Sequence, residues 1–106
     1  MEQHYLTNEQ IAAFASSLVR AERTPATIEK YLRSVRAFFL YLDGRPVTKD
    51  AVVAWKEHLQ SVGGYSPSTV NASMAAINDL FTFLSWPDCR IHYLKVQHRL
   101  FRDAGQ

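Results

Sequence analysis

Two twenty-residue stretches of this chain repeat one another 42 positions apart. TPATIEKYLRSVRAFFLYLD, which begins at Thr24, lies over SPSTVNASMAAINDLFTFLS, which begins at Ser66. Each copy opens with a hydroxyl residue followed by proline. That pair suits a helix start, because the hydroxyl can accept a free backbone N–H and proline has no N–H to lose at the first helical position. The apolar positions then match pairwise, Ile28 with Val70, Leu32 with Met74, Val35 with Ile77, Phe39 with Phe81 and Leu42 with Leu84. Two copies are too few for a solenoid, which needs about three or more stacked units. The repeat therefore predicts two helix–turn–helix halves packed into one bundle around a shared core.

The remaining elements follow from the same local chemistry. Thr7 and Gln10 have the spacing of a capping box, and Ile11, Phe14, Ala15, Leu18 and Val19 continue as one helix face. The second helix should end at Asp43-Gly44, where glycine tolerates a left-handed backbone. Thr48 can cap a third helix that carries Val52, Trp55, Leu59 and Val62 and runs to Gly63-Gly64. Ser85-Trp86-Pro87 should close the fourth. From Asp88 onward no period survives, so residues 1–87 are expected to form the helical domain and 88–106 a basic linker, the chain continuing into something else.

With 106 residues, 47% hydrophobic and 21% charged, the chain is sized for one globular domain. No stretch supplies the roughly 20 apolar residues of a membrane span, and the start Met-Glu-Gln-His lacks a signal peptide's basic and apolar regions. A soluble, cytoplasmic protein with no membrane partner is expected. One cysteine, Cys89, excludes an internal disulfide. Cys89, His92 and His98 form the only metal-like cluster in the sequence, and a structural zinc site wants a fourth ligand, so no metal and no cofactor are expected.

Catalytic motifs are equally scarce. Gly63-Gly64 has no Gly-Lys-Ser/Thr after it, and no Gly-x-Ser-x-Gly elbow marks a serine nucleophile. Tyr5, Tyr31, Tyr41, Tyr65 and Tyr93 sit in no motif that marks a nucleophile, and amphipathic packing explains them better. Charge says more. The net value is only +2, but Arg20, Arg23, Lys30, Arg33 and Arg36 outnumber the acids around them, and Arg90, Lys95, Arg99 and Arg102 stand in a stretch with none. On a helical wheel the second helix's apolar stripe centres near Ile28 and Leu32, leaving Thr27, Lys30, Arg33 and Ser34 on or beside the opposite side. The fourth helix opens with Ser66, Ser68, Thr69, Asn71 and Ser73, whose short polar side chains and free N-terminal amides suit a phosphate oxygen.

Thr27, Tyr31, Val35, Phe38-Phe39 and Leu42, preceded by Thr24 and followed by Ser66, Ser68-Thr69 and Asn71, resemble the N-terminal core-binding, SAM-like domain of tyrosine recombinases, the phage-type integrases. The tail Leu94-Lys95-x-Gln97-x-Arg99 is similar to the linker before their catalytic domain. This resemblance implies an all-α, compact four-helix SAM-like bundle that forms one half of a clamp on double-stranded recombination-site DNA. Its implied partners are the catalytic domain of the same chain and other recombinase protomers in a synaptic assembly on a mobile genetic element. The catalytic boxes His-x-Leu-Arg-His and Thr-Gly-x-Arg are absent from these 106 residues, so no catalytic residue is assigned and the fragment is expected to bind without cutting.

By position, the implied DNA contacts are Thr24, Thr27, Lys30, Tyr31, Arg33 and Ser34 on the second helix, and Ser66, Ser68, Thr69, Asn71 and Ser73 on the fourth. Lys95 and Arg99 follow from the linker. Where several relatives carry basic residues this chain has Ala72, Ala75 and Ala76, which favours shape or phosphate contact over base reading. The alternative expectation is a helical protein–protein interaction module that does not bind DNA and docks through Phe38, Tyr41 and Phe83.

Overall fold

The computed structural model describes residues 3–91. Its elements are α1 (Asn8–Arg20), α2 (Pro25–Leu42), α3 (Lys49–Ser61) and α4 (Pro67–Leu84), followed by one 3-10 turn, Pro87–Cys89. All four helix starts use the capping chemistry read from the sequence. Thr7, Thr24, Thr48 and Ser66 each accept the backbone N–H three residues on, and Gln10 returns the bond to Thr7. The repeat extends to the stops as well, since Asp43 (φ 49°) and Ser85 (φ 62°), 42 positions apart, both end their helices in the left-handed conformation.

The two copies are buried unequally. α4 packs against α1, α2, α3 and the 3-10 turn. Val70, Met74, Ile77, Leu80 and Phe81 are consequently sealed from solvent. α2 packs against the other three helices but not the turn, and buries Val35, Phe38 and Leu42, while Ile28, Leu32 and Phe39 are only half-buried. The expected α2 stripe through Ile28, Leu32 and Phe39 is thus rotated toward Phe38. That ring meets Phe81 edge-on at 6.3 Å and Trp55 at 6.1 Å, so the facing aromatic side chains select it over its neighbour. Val19 (61% exposed) and Val62 (73%), expected on the apolar faces of α1 and α3, lie off the core.

The core also takes in Cys89 and Ile91, beyond the last helix. Asn78, the one buried polar residue among those described, holds this segment in place. Its Nδ2 donates to the Ile91 carbonyl at 3.0 Å and its Oδ1 accepts the Ile91 N–H at 3.2 Å. On the other side, the Val47 N–H donates to the His4 carbonyl at 2.7 Å in an isolated antiparallel bridge. Replacing Asn78 with alanine leaves both Ile91 backbone groups without these partners, a loss of about 1–3 kcal/mol for a buried unsatisfied group. The expected result is a lower denaturant midpoint together with faster hydrogen exchange at the Ile91 amide. No helix among the described residues is long and apolar enough to cross a membrane.

Candidate nucleic-acid interface

α2 and α4 converge on a groove of about 280 Å³. Lys30, Arg33, Ser34 and Ala37 form the α2 wall, and Thr69, Val70, Ala72 and Ser73 form the α4 wall. Leu59 and Tyr65 complete it from α3 and the following loop. The floor is small and apolar, the walls carry four hydroxyls, and no acidic residue lines it. Gly63 sets Tyr65 in this position: a Cβ there would lie 2.7 Å from the tyrosine ring and 2.9 Å from the Leu59 carbonyl, closer than packed atoms come.

Both cations remain accessible. Lys30 is exposed and has no ion-pair partner among the described residues. Arg33 approaches Glu29 one helical turn away at 3.8 Å, but both side chains are more than two-thirds exposed, and such a surface pair holds its members weakly. Arg23 differs. It meets Asp79 at 3.4 Å and covers the Tyr31 ring, which ties α2 to the α4 side of the bundle.

Of the residues expected to face DNA, the structure brings Lys30, Arg33, Ser34, Thr69 and Ser73 into this one groove. Thr24 and Ser66 do not line it; their hydroxyls cap α2 and α4 and also meet the hydroxyls of Thr27 (2.9 Å) and Thr69 (3.1 Å). Ser68 is exposed on the first turn of α4 and Asn71 is half-buried on the next. Tyr31 does not line the groove; it is half-buried against the core beneath Arg23. Lys95 and Arg99 lie outside the described residues. Tyr65 was not among the residues expected at the site; its signal was the Gly63-Gly64 pair before the cap, which turns the chain back over α3.

The docking face expected under the alternative reading does not exist as such, because Phe38 is wholly buried and only Tyr41 and Phe83 reach the surface. Exposed apolar area lies elsewhere. Val19, Ile28, Leu32 and Leu40 line a wider groove of about 910 Å³ on the opposite flank of α2, with Arg23, Arg33 and Arg36 at its rim. A third cluster, His4, Asp88 and Cys89, joins residues too distant in the chain for local spacing to reveal. Burial, and then the neighbouring Asp88 carboxylate, push the Cys89 thiol up to about 11.

The chain is thus an all-α four-helix bundle with a cationic, hydroxyl-lined groove between its two repeated helices. The family model for the phage integrase N-terminal SAM-like domain matches residues 6–88, which spans the whole bundle from Leu6 to the 3-10 turn. The chain belongs to that family. Comparison with curated proteins and with solved structures finds no match.

Proposed function

We propose that this domain is the non-catalytic, DNA-binding half of a tyrosine recombinase, holding recombination-site DNA for a catalytic half of the same polypeptide. One observation carries the reading: the groove between α2 and α4 offers two exposed cations and four hydroxyls, with no carboxylate in its lining. Lys30 and Arg33 reach for phosphate oxygens, and Ser34, Thr69, Ser73 and Tyr65 donate hydrogen bonds along the same track. The α4 N-terminus adds its dipole and orphan amides at the groove's end. Small side chains, Ala37 and Ala72 among them, let both helices approach a duplex closely. Two cations supply little base-specific reading, so backbone contact and DNA shape carry the interaction.

Duplex binding measured across a salt series tests this. The isolated domain should bind at about 10⁻⁴–10⁻⁶ M, the range of non-specific complexes, and weaken steeply as salt rises through counterion release. Supercoiled plasmid should be neither nicked nor relaxed, and no phosphotyrosine adduct should form. The second reading, a protein-docking module, is favoured by the exposed apolar groove around Leu32 and Leu40. Absence of DNA binding at low salt would favour it, and a covalent adduct would overturn the non-catalytic assignment.

A further inference from the structure

The corner where the N-terminal segment meets the 3-10 turn gathers three donors that the groove does not use. His4, Asp88 and Cys89 place an imidazole nitrogen, a carboxylate oxygen and a sulfur within 4.8 Å of one another. His4 Nε2 lies 3.4 Å from Asp88 Oδ2, and Cys89 Sγ lies 3.9 Å from the same oxygen. A tetrahedral cation with bonds of about 2.0–2.3 Å spaces its donors about 3.3–3.7 Å apart. Two edges of such a polyhedron are therefore close to their bound lengths, and the third, no longer than 4.8 Å, needs a contraction of at most about 1 Å.

The donors are also held. The His4 ring stacks on Trp86 with centroids 4.4 Å apart and planes 14° from parallel. Its carbonyl is bonded to the Val47 N–H, while the Cys89 thiol points at the Val47 carbonyl 3.8 Å away, so one residue anchors both sides of the cluster. Cys89 is fully buried and its N–H donates to the Trp86 carbonyl at 3.1 Å. Asp88 is 70% exposed, which leaves that side open for a cation to enter and for water to complete the coordination.

We propose that His4, Asp88 and Cys89 form a three-ligand site for a zinc-class divalent cation. The mixture of sulfur, imidazole and a single carboxylate favours zinc or cobalt over magnesium or calcium, which take oxygen ligands. On binding, the Cys89 S–H bond breaks as the sulfur–metal bond forms, and the proton passes to water. His4 coordinates through Nε2 with its proton on Nδ1. The cation cross-links the N-terminal segment to the turn that follows α4, and it stabilises the fold because the unfolded chain does not hold these three groups together.

The test is a cobalt(II) titration of the metal-free 106-residue chain, followed by absorption, with zinc as competitor. The expected result is one cobalt per chain, with a thiolate-to-cobalt charge-transfer band that zinc abolishes and a melting temperature raised by zinc. His4→Ala and Asp88→Asn should each weaken cobalt binding by about tenfold or more and blunt the thermal shift. Circular dichroism of these two variants establishes that they remain folded, so the outcome does not depend on the buried Cys89→Ser variant. His92→Ala should retain the band. Absence of a charge-transfer band at saturating cobalt would overturn the proposal. So would a band that survives His4→Ala but is lost in His92→Ala, which would assign the metal to Cys89 and His92 alone.

Discussion

Phe38→Ala is expected to destabilise the domain by about 3–5 kcal/mol, the range for removing a fully buried aromatic ring. That is a large part of the roughly 5–15 kcal/mol available to a small domain, and it corresponds to a fall in melting temperature of at least about 12 °C. The size follows from where the ring sits. Phe38 is sealed on the side of α2 that faces α3 and α4, against both Phe81 and Trp55, in a close-packed interior where the lost ring leaves a cavity. Leu40→Ala, two residues away and 73% exposed, should stay within about 0.5 kcal/mol of wild type. Leu32→Ala should fall between them, since Leu32 is half-buried. Chemical denaturation of the three variants measures this, and equal midpoints for Phe38→Ala and Leu40→Ala would mean that α2 is rotated differently about its axis.

Helix starts and stops were legible in the sequence because capping is local: a hydroxyl, a proline and the next few amides decide it. The 42-residue repeat was legible for the same reason, down to the paired left-handed stops at Asp43 and Ser85. Burial on α2 was not. Phe38 and Phe39 flank the line through Val35 and Leu42 on opposite sides, so either can complete a stripe, and only the aromatic side chains of α3 and α4 choose between them. The repeat itself could not report that Val70 and Met74 would be sealed while their counterparts Ile28 and Leu32 stay half-open, because that difference comes from the number of elements around each helix. Contacts between chain ends were the least visible. Nothing near Asn78 announces that it will hold Ile91, nor near His4 that it will meet Asp88.

The candidate site shows the same division. Lys30, Arg33 and Ser34 share a helical face, and the hydroxyls of α4 share another, so each set was readable. The Arg23 guanidinium over Tyr31 was not legible, because Arg23 lies outside the helix that carries the ring. Tyr65 needed the geometry of the Gly63-Gly64 turn.

The second large effect concerns the groove itself. Lys30 and Arg33 are exposed, contribute no core contact, and only Arg33 makes an ion pair, the weak one with Glu29, so their joint replacement by alanine should leave the melting temperature unchanged. If both contact phosphate, the double variant should lose about 0.9 from the logarithmic salt slope per contact, about 1.8 in all. With equal binding at 1 M salt, that slope difference amounts to an affinity loss of about 60-fold at 0.1 M. The loss should be uniform across duplex sequences, because phosphate contacts carry no base information. Fluorescence anisotropy with a labelled duplex over a salt series, wild type beside Lys30→Ala/Arg33→Ala, measures both quantities at once. A shallower slope with a large, sequence-independent loss of affinity is the result predicted for DNA held in the groove between α2 and α4, and superimposable curves for the two proteins would contradict it.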